Sequence, residues 1–189
     1  MKSILVLVLA ASASASFAAD VHGKIVLSQG RAASHAVVYL EGGPKSRPLA
    51  NAMVDQRGRT FIPHISVITI GTTVSFPNND TIFHNVFAEY SKEDRFDIGM
   101  YARGATKRHT FSKPGVVAVM CSVHPDMSAY IVVIDTPYYT VADSNGEYAI
   151  KNVPAGSYTL KVWHESGQVE SKRIEVADNR SVDVKTHHT

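Results

Sequence analysis

A short polar loop set between two apolar segments most constrains what this chain can fold into. Cys121 opens the loop, His124 follows three positions later, and Met127 follows three positions after that. Segments 116–120 and 129–134, on either side of the loop, are apolar and rich in β-branched residues. Such segments predict two strands joined by a tight loop. The loop therefore presents three soft metal ligands close together in the chain.

A second histidine, His84, lies upstream in the apolar segment 81–87. The thiolate, the two imidazoles and the thioether together make the ligand set of a mononuclear blue-copper site, in which Met is the weak axial donor. Thiolate and thioether favour Cu(I), whereas imidazole also accepts Cu(II), so this set serves both oxidation states. Taken singly, His84 and Met127 also fit ordinary core packing, and Cys121 fits an inert buried thiol or an intermolecular disulfide. Their combination predicts a site for one copper ion.

The first 18 residues have the pattern of a secretory signal peptide, with Lys2, a short apolar run and small residues before a cleavage site that we place after Ala18. The apolar run is too short to span a membrane. The whole sequence has 19 Lys and Arg against 17 Asp and Glu, a near-neutral balance that argues against nucleic acid as a partner. We expect a periplasmic protein, in which the single cysteine forms no internal disulfide.

The rest of the sequence predicts short strands divided by turns that contain glycine or proline. No segment shows a convincing helical period. The polar segment 88–109 is predicted to be a solvated excursion between strands. These features predict an all-β fold of the sandwich type. Further strands are expected near residues 21–27, 36–41, 52–55, 60–70, 72–76, 139–142, 147–150, 158–162, 173–176 and 181–184.

Four motifs between residues 61 and 134 carry a family resemblance. They are Phe61-x-Pro63, Gly71-x-x-Val74-x-Phe76-x-Asn78-x-Asp80, His84-Asn85-Val86 and Cys121-x-x-His124-x-x-Met127. This segment resembles the cupredoxin family, and the short ligand spacing with Pro125 after the histidine looks most like amicyanin and the plastocyanin-like methylamine utilisation proteins. The resemblance implies a cupredoxin-like Greek-key β-sandwich that binds copper, which we place at residues 44–136.

The same resemblance assigns roles to particular residues. It implies that Asn85 ties the His84 strand to the loop of residues 121–127, called here the ligand loop, by bonding near Ser122. Such a tie fixes ligand geometry. His64 is the reserve candidate should His84 not be a ligand. The copper ligands that the resemblance implies are His84, Cys121, His124 and Met127.

A second set of turn motifs lies after residue 136. It reads Asp143-x-Asn145-Gly146-x-Tyr148 and Val153-Pro154-x-Gly156-x-Tyr158-x-Leu160. These motifs resemble the carboxypeptidase regulatory-like, or transthyretin-like (prealbumin-like), β-sandwich, which we place at residues 137–189. Residues 20–43 would complete this sandwich; the alternative is that they begin the cupredoxin sheet. The Asn-Gly pair predicts a hairpin, and Trp163 is expected to pack in this second core.

These features favour a carrier of single electrons that serves a redox partner such as a c-type cytochrome or a dehydrogenase. An enzyme is not expected, because Met120 stands beside the cysteine where related copper oxidases and nitrite reductases usually carry histidine. One alternative is a copper-trafficking or storage protein that binds Cu(I) through the loop, and another is an adhesion or docking module with a structural metal. Asp126 replaces the bulky apolar residue common in amicyanin-like loops, so we expect it either to attract a basic partner or to cap the local turn.

Overall fold

The computed structural model describes residues 18–89, 95–166 and 169–186, and every regular element in those ranges is a β-strand. The predicted signal peptide lies outside the described residues except for Ala18. Across the described ranges no helix is long and apolar enough to cross a membrane. The strands are β1 Ala18–Val26, β2 Val37–Glu41, β3 Asp55–Arg57, β4 Thr60–Ile62, β5 Ile65–Thr69, β6 Thr72–Pro77, β7 Phe87–Glu89, β8 Arg95–Asp97, β9 Thr106–Phe111, β10 Gly115–Met120, β11 Ser128–Ile134, β12 Tyr139–Val141, β13 Glu147–Pro154, β14 Gly156–Trp163, β15 Val169–Val176, β16 Arg180–Ser181 and β17 Val184–Lys185.

Strands β3 to β11 form one sandwich, called here the central sandwich. Its larger sheet has the order β5-β11-β10-β7-β8, with β5 parallel to β11 and the other pairs antiparallel. The pairs β6-β9 and β3-β4 supply the other layer. Apolar side chains from both layers pack into one buried cluster. The largest fully buried aromatic residues in it are Phe61, Phe76 and Phe111.

The remaining strands form a second sandwich, called here the terminal sandwich because it uses residues 18–41 and 139–185. One sheet has the order β13-β1-β16 with β17 also beside β1, and the other has the order β12-β2-β14-β15. Its buried cluster is separate from that of the central sandwich and includes Ile25, Leu40 and Leu160. The two N-terminal strands therefore pair with strands that follow residue 138. The prediction of an all-β fold built from two sandwiches is confirmed.

A third cluster of buried side chains lies where the two sandwiches meet. Val37 and Trp163 from the terminal sandwich pack against Val132 and Ile134 of β11. The Trp163 ring lies 5.1 Å from the ring of Tyr130. Trp163 was expected in the second core, but it belongs to this contact instead. Leu160 and Val162 of β14 face the second core, and the next residue, Trp163, faces the other side of the sheet.

Three local expectations in the central sandwich are corrected by the structure. The strand expected at 60–70 is two strands, β4 and β5, and the strand expected at 52–55 begins at residue 55 and ends at residue 57. The segment 88–109 is not merely a solvated excursion, since it contains β8 and most of β9. These two strands are difficult to recognise because β8 has only three residues and because polar Lys107 and His109 occupy less exposed positions of β9, where apolar residues would be expected.

The Asn145-Gly146 turn does not join a hairpin. β12 pairs with β2 whereas β13 pairs with β1, so the turn carries the chain from one sheet of the terminal sandwich to the other. The Asp143 carboxylate accepts the N–H groups of Asn145 and Glu147 at 2.8 and 2.9 Å and closes the turn. A Cβ on Gly146 would lie 2.4 Å from the carbonyl oxygen of Ile25, so glycine is required there.

Candidate metal centre

The ligand loop joins two neighbouring antiparallel strands. Met120 at the end of β10 is directly opposite Ser128 at the start of β11, so the loop returns the chain within the same pair of strands. The Cys121 N–H donates to the Met127 carbonyl at 3.2 Å, and the Met127 N–H donates to the His124 carbonyl at 2.9 Å. These bonds close the loop on itself and hold its side chains near one another.

His84 reaches the same place from the segment just before β7, the strand that pairs with β10. Its backbone forms an isolated antiparallel bridge with Tyr101, with N–H to O distances of 3.3 Å in one direction and 2.9 Å in the other. The His84 side chain is fully buried. Tyr101 is in turn fixed by its hydroxyl, which donates to the Phe76 carbonyl at 2.9 Å. Burial raises the pKa of Tyr101, so its hydroxyl stays protonated at any physiological pH.

Three of the four predicted donors come together in the folded chain. Cys121 Sγ lies 3.7 Å from His84 Nδ1 and 3.8 Å from His124 Nδ1. All three atoms lie within 4.8 Å of one another. His84 and Cys121 are buried, whereas His124 is half-buried. The fourth predicted donor, Met127, is only 1% exposed and packs in the same core cluster.

Asn85 connects the two segments that carry the donors. Its Oδ1 accepts the Ser122 N–H at 2.8 Å and the Ser122 hydroxyl at 2.9 Å. Its Nδ2 donates to Asp97 Oδ1 at 3.2 Å. The residue after His84 is thereby bonded to the residue after Cys121. Pro125, the other neighbour named from the resemblance, lies exposed on the loop beside His124.

Asp80 contacts the donor set, and no role was predicted for it from the sequence. Its Oδ2 lies 3.0 Å from His84 Nε2 and also accepts the Arg59 N–H at 2.7 Å. The Arg59 N–H and the His84 ring lower the pKa of the Asp80 carboxyl to about 2. The one available sequence signal was its place four residues before the histidine in the Asn78-x-Asp80 motif.

His64, the reserve candidate, lies elsewhere. Its Nε2 is 2.7 Å from Glu165 Oε2 of the terminal sandwich, and its Nδ1 is 3.2 Å from the Ser128 carbonyl oxygen. The contact joins the two sandwiches at their surface, where both side chains are nearly half exposed. His64 therefore takes no part in the donor cluster. Two further histidines of the sequence, His187 and His188, lie outside the described residues.

The two sulfur–nitrogen distances fit a single bound metal ion. A thiolate at ~2.3 Å and an imidazole nitrogen at ~2.1 Å from a common ion lie roughly 3.6–3.8 Å apart for tetrahedral to trigonal angles. The observed sulfur–nitrogen distances are 3.7 and 3.8 Å. A trigonal set of two imidazoles and one thiolate suits copper in either oxidation state. The residues present therefore fit a copper ion.

Comparison with known families gives one match, to a family described as polysaccharide lyase family 4, domain II, over residues 114–184. The match begins in the central sandwich at β10 and continues through most strands of the terminal sandwich. It is not the carboxypeptidase regulatory-like family that the turn motifs predicted. A search of the curated proteins found no significant match.

Comparison with solved structures finds copper proteins. A purple cupredoxin from Nitrosopumilus maritimus is 24% identical over 44% of this chain and 100% of that chain, with a TM-score of 0.41. A Cu-containing nitrite reductase from Thermus scotoductus is 28% identical over 52% of this chain but only 25% of that chain, with a TM-score of 0.43. The reduced state of an amicyanin mutant is 23% identical over 53% of this chain and 100% of that chain, with a TM-score of 0.42. These TM-scores are low, so the geometry of the site carries the functional conclusion.

Proposed function

We propose that this chain is a mononuclear type 1 copper protein, of the cupredoxin type, that carries single electrons between redox partners. The observation that supports the proposal is the convergence of His84 Nδ1, Cys121 Sγ and His124 Nδ1 within 4.8 Å, on two segments tied together by Asn85. Met127 would be the fourth, weak donor. Copper in such a site supplies exchange of one electron between its Cu(I) and Cu(II) states.

In this function the protein would fix the positions of the metal-binding side chains. Asn85 links the His84 segment to the ligand loop, and the strand pairs on either side of the loop keep its ends together. The burial of Cys121 protects the thiolate from oxidation and from exchange with other thiols. Donors that stay in place in both oxidation states lower the rearrangement needed for electron exchange. The same rigidity favours a carrier over a trafficking protein, which must release its metal.

The proposal predicts that purified protein binds one copper ion and keeps it through repeated oxidation and reduction. We would load the protein with copper, cycle it with a mild oxidant and reductant, and measure retained copper and the visible spectrum after each cycle. A carrier retains its copper and returns to the same spectrum. Loss of copper at each reduction would instead support the trafficking or storage alternative, and a protein that binds no copper would refute both.

The half-buried His124 faces a surface that suits contact with a partner. The loop residues Val123 and Pro125 beside it are exposed, and a surface cleft at this point is lined by Arg59 and Asp126 as well. Asp126 is exposed, and its carboxylate accepts no hydrogen bond within the described residues. This arrangement supports the docking role over the turn cap. Arg59 adds an opposite charge to the same cleft, which the sequence did not indicate.

Asp126→Asn should slow electron transfer to a basic c-type cytochrome about threefold at low salt, the effect of one exposed charge pair worth ~0.6 kcal/mol. The reason is that rim charges act mainly on the rate of association, and salt screens them. Stopped-flow rates measured over a range of salt concentrations would show it. Arg59→Gln is the matched control and should raise the rate, since it removes the opposite charge. Unchanged rates and salt dependence in Asp126→Asn would refute the docking role.

We also propose a division of the chain that follows the pairing of its strands. Residues 44–136 would be the copper domain, inserted into a terminal sandwich made by residues 20–43 and 137–189. Pairing of β1 with β13 and of β2 with β14 supports this division. A periplasmic location, reached through the signal peptide at residues 1–18, is part of the same proposal.

A further inference from the structure

The His84 ring uses both of its nitrogens. Nδ1 faces Cys121 Sγ at 3.7 Å, and Nε2 lies 3.0 Å from Asp80 Oδ2. A carboxylate only accepts hydrogen bonds, so the His84 proton belongs on Nε2 and the Nδ1 lone pair is directed at the donor cluster. Because the His84 side chain is fully buried, water does not compete for either nitrogen.

Asp80 is held in position by more than its contact with His84. Its Oδ2 accepts the Arg59 N–H at 2.7 Å, and its Oδ1 accepts the Thr81 N–H at 2.8 Å. Its own N–H donates to Asn78 Oδ1 at 2.9 Å. Asn78 is fully buried, and its amide group is anchored on two backbone carbonyls. The carboxylate is therefore fixed in place by the loop around it, and it can orient the histidine.

The two histidines of the proposed site differ in the hydrogen bonding of their Nε2 atoms. His124 is half-buried, and its Nε2 has no hydrogen-bond partner within the described residues. His84 has a fixed carboxylate on the nitrogen that points away from the donor cluster. A carboxylate in this position fixes the ring and raises the basicity of the ligating nitrogen. A more basic nitrogen donor stabilises Cu(II) more than Cu(I), because Cu(I) prefers soft sulfur ligands.

From this geometry we infer that Asp80 is a positioning residue that sets the donor strength of His84 and thereby lowers the reduction potential of the metal centre. The inference about potential rests on the proposed function, whereas the inference about the orientation of the ring does not. Asp55 offers a matched control. Its side chain is 12% exposed, as is that of Asp80. It pairs with Arg57 and Asn79, however, and not with a residue of the proposed metal site.

The test compares the full-length wild type with Asp80→Asn, Asp80→Ala and Asp55→Asn. In metal-free protein, long-range proton–nitrogen NMR reports which nitrogen of His84 carries the proton. The Nε2–H form should dominate in the wild type, Asp55→Asn and Asp80→Asn, which keeps an acceptor oxygen. Asp80→Ala removes the acceptor, so it should show a mixture of the two tautomers.

Redox titration of the copper-loaded proteins tests the effect on potential. Asp80→Asn should shift the equilibrium towards Cu(I) about tenfold, which corresponds to a potential higher by ~59 mV. Asp80→Ala should in addition bind Cu(II) about 10–100-fold more weakly. Asp55→Asn removes the same formal charge at the same exposure and should change the equilibrium less than about twofold, because it contacts no ligand of the metal.

The outcomes separate this inference from the proposed function. Equal potentials in the wild type and Asp80→Asn, or an unchanged tautomer in Asp80→Ala, would overturn the role of Asp80 even if the protein is a copper carrier. A wild type that binds no copper would defeat the proposed function, while the NMR measurement would still decide whether Asp80 orients His84. Should Asp80→Ala fail to fold, Asp80→Asn preserves the shape and one acceptor, and its potential decides.

Discussion

Cys121→Ser should reduce the intense visible absorption of the copper-loaded protein to background. The colour of a blue-copper site comes from charge transfer between the cysteine thiolate and Cu(II), and a serine hydroxyl cannot supply it. The fold should persist, because serine has nearly the same shape as cysteine and the backbone hydrogen bonds of Cys121 and Met127 hold the loop closed. The measurement is an absorption spectrum after copper addition, with circular dichroism to check the fold.

Two histidine variants serve as controls for this result. His84→Ala should lose the colour as well, since it removes a donor 3.7 Å from the sulfur. His64→Ala should keep the colour, because the His64 ring is bonded to Glu165 and to a backbone carbonyl away from the donors. If the serine variant were as blue as the wild type, the assignment of Cys121 as the thiolate ligand would be wrong.

Copper should raise the melting temperature of the protein strongly. A metal that binds only the folded state stabilises it by about 4 kcal/mol when free metal exceeds its dissociation constant about 1,000-fold. Each kcal/mol raises Tm by roughly 2–4 °C in a chain of this size, so we expect an increase of about 8 °C or more. The donors come from segments 37 residues apart in the chain, and unfolding separates them. Differential scanning calorimetry with and without copper gives the shift.

Cys121→Ser is the control for this measurement too. It should unfold at nearly the same temperature with and without copper, because the remaining donors bind the metal weakly. No disulfide contributes, since Cys121 is the single cysteine of the sequence. An identical melting temperature for the wild type with and without one equivalent of copper would show that the donors do not form a binding site in the folded protein.

The local features of the candidate metal centre could be predicted from the sequence because they depend on neighbours in the chain. The apolar segments around Cys121 became β10 and β11, and the loop between them holds His124 and Met127. His84 could be included among the predicted metal ligands because its segment is apolar and because a second histidine completes the ligand set of a mononuclear blue-copper site. Donor chemistry is a property of residue types, so it is readable without coordinates.

Predictions failed where a feature depended on distant strands. Asn145-Gly146 has the composition of a hairpin turn, but its flanking strands belong to different sheets because each finds its partner in the N-terminal segment. Trp163 is apolar enough for either core, and the packing of one sandwich on the other decided that it lies between them. Strands β8 and β9 were not predicted, since β8 is very short and the less exposed positions of β9 include polar Lys107 and His109.

The sequence by itself determined which atoms are available to a metal and that the fold consists of β-strands, because composition and short-range periodicity are local properties. Only the tertiary structure decided that Asp80 bonds His84, since the carboxylate is positioned by Arg59, which lies 21 residues upstream, and by the buried Asn78. It also decided that β1 and β2 join the C-terminal strands. Hydrogen bonds between distant segments depend on how the whole chain packs, and no short stretch of sequence encodes that.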